Sequence, residues 1–107
     1  MIISTTDSIA GYEIVETIDI ARGSTVRARH LGRDIFAGLK NLVGGEIQEY
    51  TELKADAREQ SLDRMKADAE QLGADAIVNV RFMTAMVMQG ASEILAYGTA
   101  VKIRKIG

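Results

Sequence analysis

From Glu46 to Leu72 the apolar residues Ile47, Tyr50, Leu53, Ala57, Leu62, Met65, Ala69 and Leu72 recur at helical spacing. Gly73 follows where a left-handed cap residue belongs. At about 1.5 Å per residue such a helix spans roughly 40 Å. That is long for a chain of 107 residues, which size places in one domain covering residues 1–107. The helix has to cross the whole of whatever it packs on, and it is long enough to overhang onto a neighbouring subunit.

The rest of the chain alternates with period two. In "GYEIVETIDIARGSTVRARH" the residues Tyr12, Ile14, Ile18 and Ile20 fall on one face and Glu13, Thr17 and Asp19 on the other. Gly23 is expected to mark a bend or bulge there. "DAIVNVRFMTAMVMQ" and "SEILAYGTAVKIRK" read as two strands joined by a hairpin turn at "QGAS". "IISTT", residues 2–6, reads as a short strand, and "GRDIFAGLKNLVGG" as a short helix. The class is α+β, with one sheet face taking the long helix and the opposite face small and mixed.

Composition narrows the function classes. There is no Trp, two Phe and three Tyr, so aromatic burial contributes little and the core is thin. Self-association is a common remedy in a domain of this size. A net charge of −2 gives no general attraction to nucleic acid or to anionic membranes. Cysteine is absent, which removes disulfides, thiolate metal sites and cysteine nucleophiles. No basic leader and no apolar run of about 18 residues is visible, so a cytoplasmic location is the expectation. Between Glu46 and Gln71 eight acids face four bases, the pattern of a solvated helix surface.

Several blocks together resemble the YbjQ-like family: "RDIFAGLKNLVGG", "YTELKADAREQSLDRMKADAEQLGADAIVNVRF" and the closing "AYGTAVKI". The resemblance implies a dodecin-subunit-like fold, an antiparallel sheet with one long helix packed across it and extra short strands for oligomer assembly. It also implies a homopentamer. No reaction comes with the family, and its label is heavy-metal binding.

The residues give that label little to work with. Zinc, copper or nickel wants clustered His and Cys. Here the one histidine, His30, stands among Arg27, Arg29 and Arg33, whose charge opposes a cation. The thioethers of Met83, Met86 and Met88 suit Cu(I), but methionine more often fills a core. Glu13 and Asp19 share a strand face about 20 Å apart, too far for paired acid–base work. No Walker loop or G-x-G-x-x-G occurs, so no cofactor is expected. What remains are Arg33, Asp34, Asn79 and Arg81, weak candidates for a ligand site shared between subunits. Asn79 and Arg81 in particular are expected on one strand face, with Val78, Val80 and Phe82 turned to the helix on the other. The leading expectation is a ring that binds an unidentified small ligand; the alternatives are an enzyme with an inter-subunit site and a metal-binding protein. Calorimetric titration with zinc, nickel and cuprous ions should give weak, non-stoichiometric uptake; one tight site per subunit would place His30 or the methionines at the centre.

Overall fold

In the computed structural model, which describes residues 1–28 and 46–107, the elements run β1 (Ile2–Ile3), β2 (Tyr12–Ala28), α1 (Glu46–Gln71), β3 (Ala76–Met88) and β4 (Ala91–Lys105). The short helix expected over residues 32–45 lies outside the described residues, as do the side chains of Ile47, Tyr50 and Leu53. The strands form one sheet in the order β1-β3-β4-β2. β3 pairs antiparallel with β4, and β4 with β2, while β1 runs parallel to β3. The architecture is the expected α+β arrangement with one helix across the sheet. It differs from an all-antiparallel sheet only in β1, which attaches to its own chain.

α1 ends in a Schellman cap. Ala74 N–H donates to the Ala69 carbonyl and Gly73 N–H to that of Glu70, both at 3.0 Å. Gly73 holds φ +78°, a conformation that glycine adopts without a Cβ penalty. The chain therefore turns directly into β3 three residues later.

The helix lies on β2 and β4, and what lets it do so is the smallness of the residues beneath it. Its buried line is Ala57, Ser61, Met65 and Ala69, spaced four apart and so stacked on one face. Under that line lie Ala21, Gly23 and Thr25 of β2 and Ile94, Ala96, Gly98 and Ala100 of β4. The small sheet face, expected opposite the helix, is the face that receives it. At Gly23 the two backbones nearly touch: a Cβ placed there would stand 2.3 Å from Met65 N and 2.5 Å from Ser61 O. Gly23 pairs with Ala96 in unbroken register, so it marks a close approach and not the bulge the sequence suggested.

The bulges of β2 fall elsewhere, between Ile14 and Glu16 and between Thr17 and Asp19. Each adds one residue and reverses the alternation beyond it. For this reason Tyr12, Ile14, Ile18 and Ile20 do not share a buried face. Ile18 packs against the helix-side core, whereas Ile20 is 62% exposed.

Beneath the helix, polar groups are satisfied. The buried Ser61 Oγ lies 2.9 Å from the carbonyls of Ala57 and Ile94 and 3.2 Å from Thr25 Oγ1. It ties the helix to the two strands it crosses. At the edge of β2, Arg22 N–H donates to Asp68 Oδ2 at 3.0 Å, and Arg64 Nη1 donates to the Ser24 carbonyl. A second, smaller cluster of Ala76, Val78 and Val101 with Ile9 and Ile103 sits on the other face.

Gly23→Ala is expected to lower stability by about 3 kcal/mol, because the added methyl meets helix backbone that cannot rotate away. Gly11→Ala, at φ +83° but with open space around it, should lose only about 1 kcal/mol. Urea denaturation of the two variants beside the parent checks both values.

Candidate functional site

The polar pair Asn79 and Arg81 sits where β3 is irregular. Val78 pairs with Thr99 and Arg81 with Tyr97, so three steps on β3 oppose two on β4. This is a β-bulge, and Asn79 occupies it at φ +55°. Among non-glycine residues, asparagine tolerates that left-handed conformation best. Across from the bulge stands Gly98. A Cβ there would lie 2.7 Å from Ile77 Cγ2 and 2.9 Å from the Val78 carbonyl. The extra residue on β3 bends that strand in towards β4, and only glycine leaves room for it.

The bulge changes the expected division of side chains at Ile77 and Val78, while Val80 faces the helix and Arg81 the opposite side as expected. Ile77 and Val80 turn to the helix and join the core of Met65 and Ala69; Val78 turns to the other face and joins Ala76 and Val101. Ile77, expected on the open face, is fully buried. Asn79 and Arg81 are both exposed, but the pleat does not hold them together, since one lies in the bulge and the other beyond it.

Backbone groups freed at the bulge are taken by the chain's first residues. Val80 N–H donates to the Ser4 carbonyl at 2.9 Å, Asn79 N–H to that of Thr6 at 3.0 Å, and Ser4 N–H to that of Ile77 at 2.9 Å. Arg81 Nη1 lies 2.8 Å from the carbonyls of Thr5 and Val80. One end of the guanidinium is therefore anchored within the chain, while Nε and Nη2 find no acceptor among the described residues. The hydroxyls of this segment serve the segment itself. Ser4 Oγ bonds Thr6 Oγ1, and Thr6 Oγ1 donates to the Ser8 carbonyl at 2.6 Å.

Arg33, Asp34 and His30 lie outside the described residues. The three methionines do not fill a core. Met86 and Met88 are 74% and 67% exposed, and Met83 is also exposed, all three near the free end of the β3–β4 hairpin. Among the described residues no three of His, Asp and Glu stand close enough to hold a metal ion. Glu13 pairs with Arg104 across β2 and β4, an exposed ion pair of small energetic weight. No described helix is long and apolar enough to cross a membrane.

The face of the sheet turned from the helix is a surface that single-residue inspection does not reveal. The registers place Ile20, Thr99 and Val78 in one row across it, then Arg22, Tyr97 and Arg81, then Ser24, Leu95 and Met83, then Val26, Glu93 and Ala85. Ile20, Val26, Met83 and Tyr97 are exposed on it. The signal that locates this face is register, which the two bulges of β2 and the one at Asn79 shift out of simple alternation. Asn79→Gly should leave stability within about 0.5 kcal/mol, and Asn79→Val should lower it by about 1–2 kcal/mol, since a β-branched residue resists the left-handed region. Denaturant midpoints of the pair test whether the bulge holds its conformation by choice of residue.

Known proteins carry the same pattern. Residues 1–104 match the YbjQ family, described as "Putative heavy-metal-binding". A UPF0145 protein of Methanosarcina acetivorans is 64% identical over 103 residues, covering 96% of this chain and 97% of its own length. Another UPF0145 protein, from Pseudothermotoga lettingae, is 58% identical over 106 residues, 99% of this chain and 100% of its own. A crystal structure of a protein of unknown function of the DUF74 family, from Pediococcus pentosaceus, superposes with a TM-score of 0.64 at 18% identity, covering 97% of this chain and 98% of that one. That likeness speaks for the fold. With a family match over nearly the whole chain and relatives this similar, the chain belongs to the YbjQ family.

Proposed function

We propose that the protein works in the cytoplasm as a homo-oligomeric ring, a pentamer, that binds a small ligand at subunit boundaries without transforming it. The observation that carries this reading is the sheet face turned from the helix, which beyond the Val78–Val101 cluster no element among the described residues covers. Ile20, Val26, Met83 and Tyr97 stand exposed on it, opposite a helix that covers the other side. Large apolar side chains exposed together on one sheet face are a common mark of an interaction surface. The shape points the same way. A radius of gyration of 17.6 Å exceeds the roughly 13 Å of a compact chain of this length. Both features suit a subunit that completes its burial against copies of itself.

Arg81 has a defined place in this reading. Its guanidinium is fixed at one end by the carbonyls of Thr5 and Val80, and its remaining fork is suited to a carboxylate. The acceptor is a carboxylate of the adjacent subunit, with a small-molecule carboxylate as the other source of the same chemistry. Arg33, Asp34 and Asn79 are the further candidates to line that boundary. An enzyme built from the same four residues would turn over what copurifies with it, whereas a binding ring holds it unchanged. The family's metal label would rest on exposed thioethers, and stoichiometric metal in the native, untagged assembly would support it.

Light scattering coupled to gel filtration should give about five times the chain mass of 11.6 kDa. A monomer at micromolar concentration would overturn the proposal. Arg81→Ala should make the ring dissociate at about tenfold higher protein concentration in native mass spectrometry, with its helix signal kept. Unchanged assembly with loss of a copurifying small molecule would assign Arg81 to the ligand.

A further inference from the structure

One row of the sheet face turned from the helix is cationic and aromatic. Register sets Arg22, Tyr97 and Arg81 side by side across β2, β4 and β3, and all three are exposed. The rows on either side, Ile20–Thr99–Val78 and Ser24–Leu95–Met83, carry no charge. Glu93 lies two rows along β4 from Tyr97, about 13 Å away. Among the described residues neither arginine has a carboxylate within ion-pair distance.

The spacing of the row follows from the pairing. Arg22 N–H and the Ser24 carbonyl point out of the sheet, to Asp68 and Arg64. The pair Arg22–Tyr97 therefore exchanges no hydrogen bond, and its Cα atoms stand about 4.5 Å apart. Tyr97 turns its N–H and carbonyl to Arg81 instead, at about 5.5 Å. Two cations thus flank one phenol ring. Arg81 is the more fixed of them. The two N–H groups of its Nη1 face the carbonyls of Thr5 and Val80, each at 2.8 Å. What is left, Nε–H and the Nη2 N–H groups, includes the parallel pair that a carboxylate accepts side-on. The bulge at Asn79, held by Ser4 and Thr6, sets Arg81 in that position. A non-glycine residue at positive φ is strain of the kind that collects at ligand clamps.

We infer that this row binds a small aromatic carboxylate, with its carboxylate on the Nε–Nη2 side of Arg81 and its aromatic body over Tyr97. This rests on the small-ligand part of the proposed function and names the class of ligand, without requiring a pentamer. Two unpaired guanidiniums with no acid in the adjoining rows favour an anion. The free side of Arg81 selects a planar acceptor with two oxygens. Tyr97, one strand away, offers its face to a flat ring by offset stacking, and Arg22 on the far side adds cation–π attraction to a ring laid there. An aliphatic acid would meet the fork and leave the Tyr97 face without a partner. A nucleic-acid strand needs successive aromatic platforms along a basic track, and the adjoining rows offer neither.

The probe is naphthoate, titrated into the deuterated wild-type protein and followed by amide chemical shifts. The amides of Arg22, Tyr97 and Arg81 should move saturably while those of α1 stay. Naphthamide keeps the aromatic body without the charge, and cyclohexanecarboxylate keeps the charge without the aromatic body. Each should bind about tenfold more weakly than naphthoate. Arg81→Lys removes the fork but keeps the charge, and Tyr97→Leu removes the aromatic face. Both should weaken naphthoate about tenfold with unchanged far-ultraviolet dichroism. If naphthoate moves no amide of the row, or cyclohexanecarboxylate binds as tightly, the inference is overturned; this comparison uses the wild type and stands whether or not the variants fold. Light scattering of the same samples separates the two readings. A monomer that binds naphthoate in this way overturns the pentamer alone, and a pentamer that does not bind it overturns the aromatic carboxylate alone.

Discussion

The contact on which the molecule depends is that between Gly23 and the backbone of α1 at Ser61 and Met65. Packing density in a core is uniformly high, so a thin core cannot be built from loosely spaced layers. This chain has few large side chains to place between helix and sheet, and it brings the two backbones together instead. Ala21, Ala96 and Ala100 line the same seam, and Met65 and Ile77 are the largest buried side chains of its core among the described residues. Dispersion contacts then come from main chain and methyl groups, each weak but close-packed. The Ser61 hydroxyl, buried at this seam, is tolerable because carbonyls of Ala57 and Ile94 accept from it.

That seam explains why the sequence shows the helix so plainly and the sheet so poorly. The spacing of Ala57, Met65 and Ala69 and the stop at Gly73 are local properties, fixed within a few residues, and they place α1 directly. The faces of the strands depend on register, and register here is interrupted three times before the last shift at Met86–Met88 near the hairpin turn. At Ile14–Glu16, Thr17–Asp19 and Val78–Arg81 one residue is added to a strand, and each addition sends the following side chains to the opposite face. Ile18, at the second addition in β2, and Ile77, just before the one at Asn79, leave their expected faces for this reason, whereas Ile20, beyond both additions in β2, returns to the face of Ile14. Asn79 itself carries the cue, an asparagine within an apolar run facing a glycine on the next strand. Nothing in the single strand says that the two will meet. Gly23 has the same ambiguity: in a strand, glycine signals either a bulge or a close approach, and only the position of the helix decides.

The candidate site was legible to the same degree. Arg81 is recognisable as the one charged residue of its strand, but its intramolecular anchor on Thr5 depends on a pairing between residues more than seventy positions apart. Composition assigns Met83, Met86 and Met88 to a core, and the structure leaves all three exposed. α1 packs on β2 and β4 and barely meets β3, the strand that carries the three methionines.

The strand order has a consequence for how the chain acquires its structure. β2 finds its partner only in β4, and the first residues, Ile2 and Ile3, find theirs in Ala76 and Ile77. Every pairing in the sheet thus waits on the last third of the sequence. The β3–β4 hairpin closes a two-residue turn at Gly90 and forms locally and early; both other strands must then close long loops onto it. During synthesis β2 emerges long before β4, an extended segment with exposed Val15, Ile20 and Val26 and no strand to join. Its acids Glu13, Glu16 and Asp19 break up the apolar run in the first half of that waiting segment.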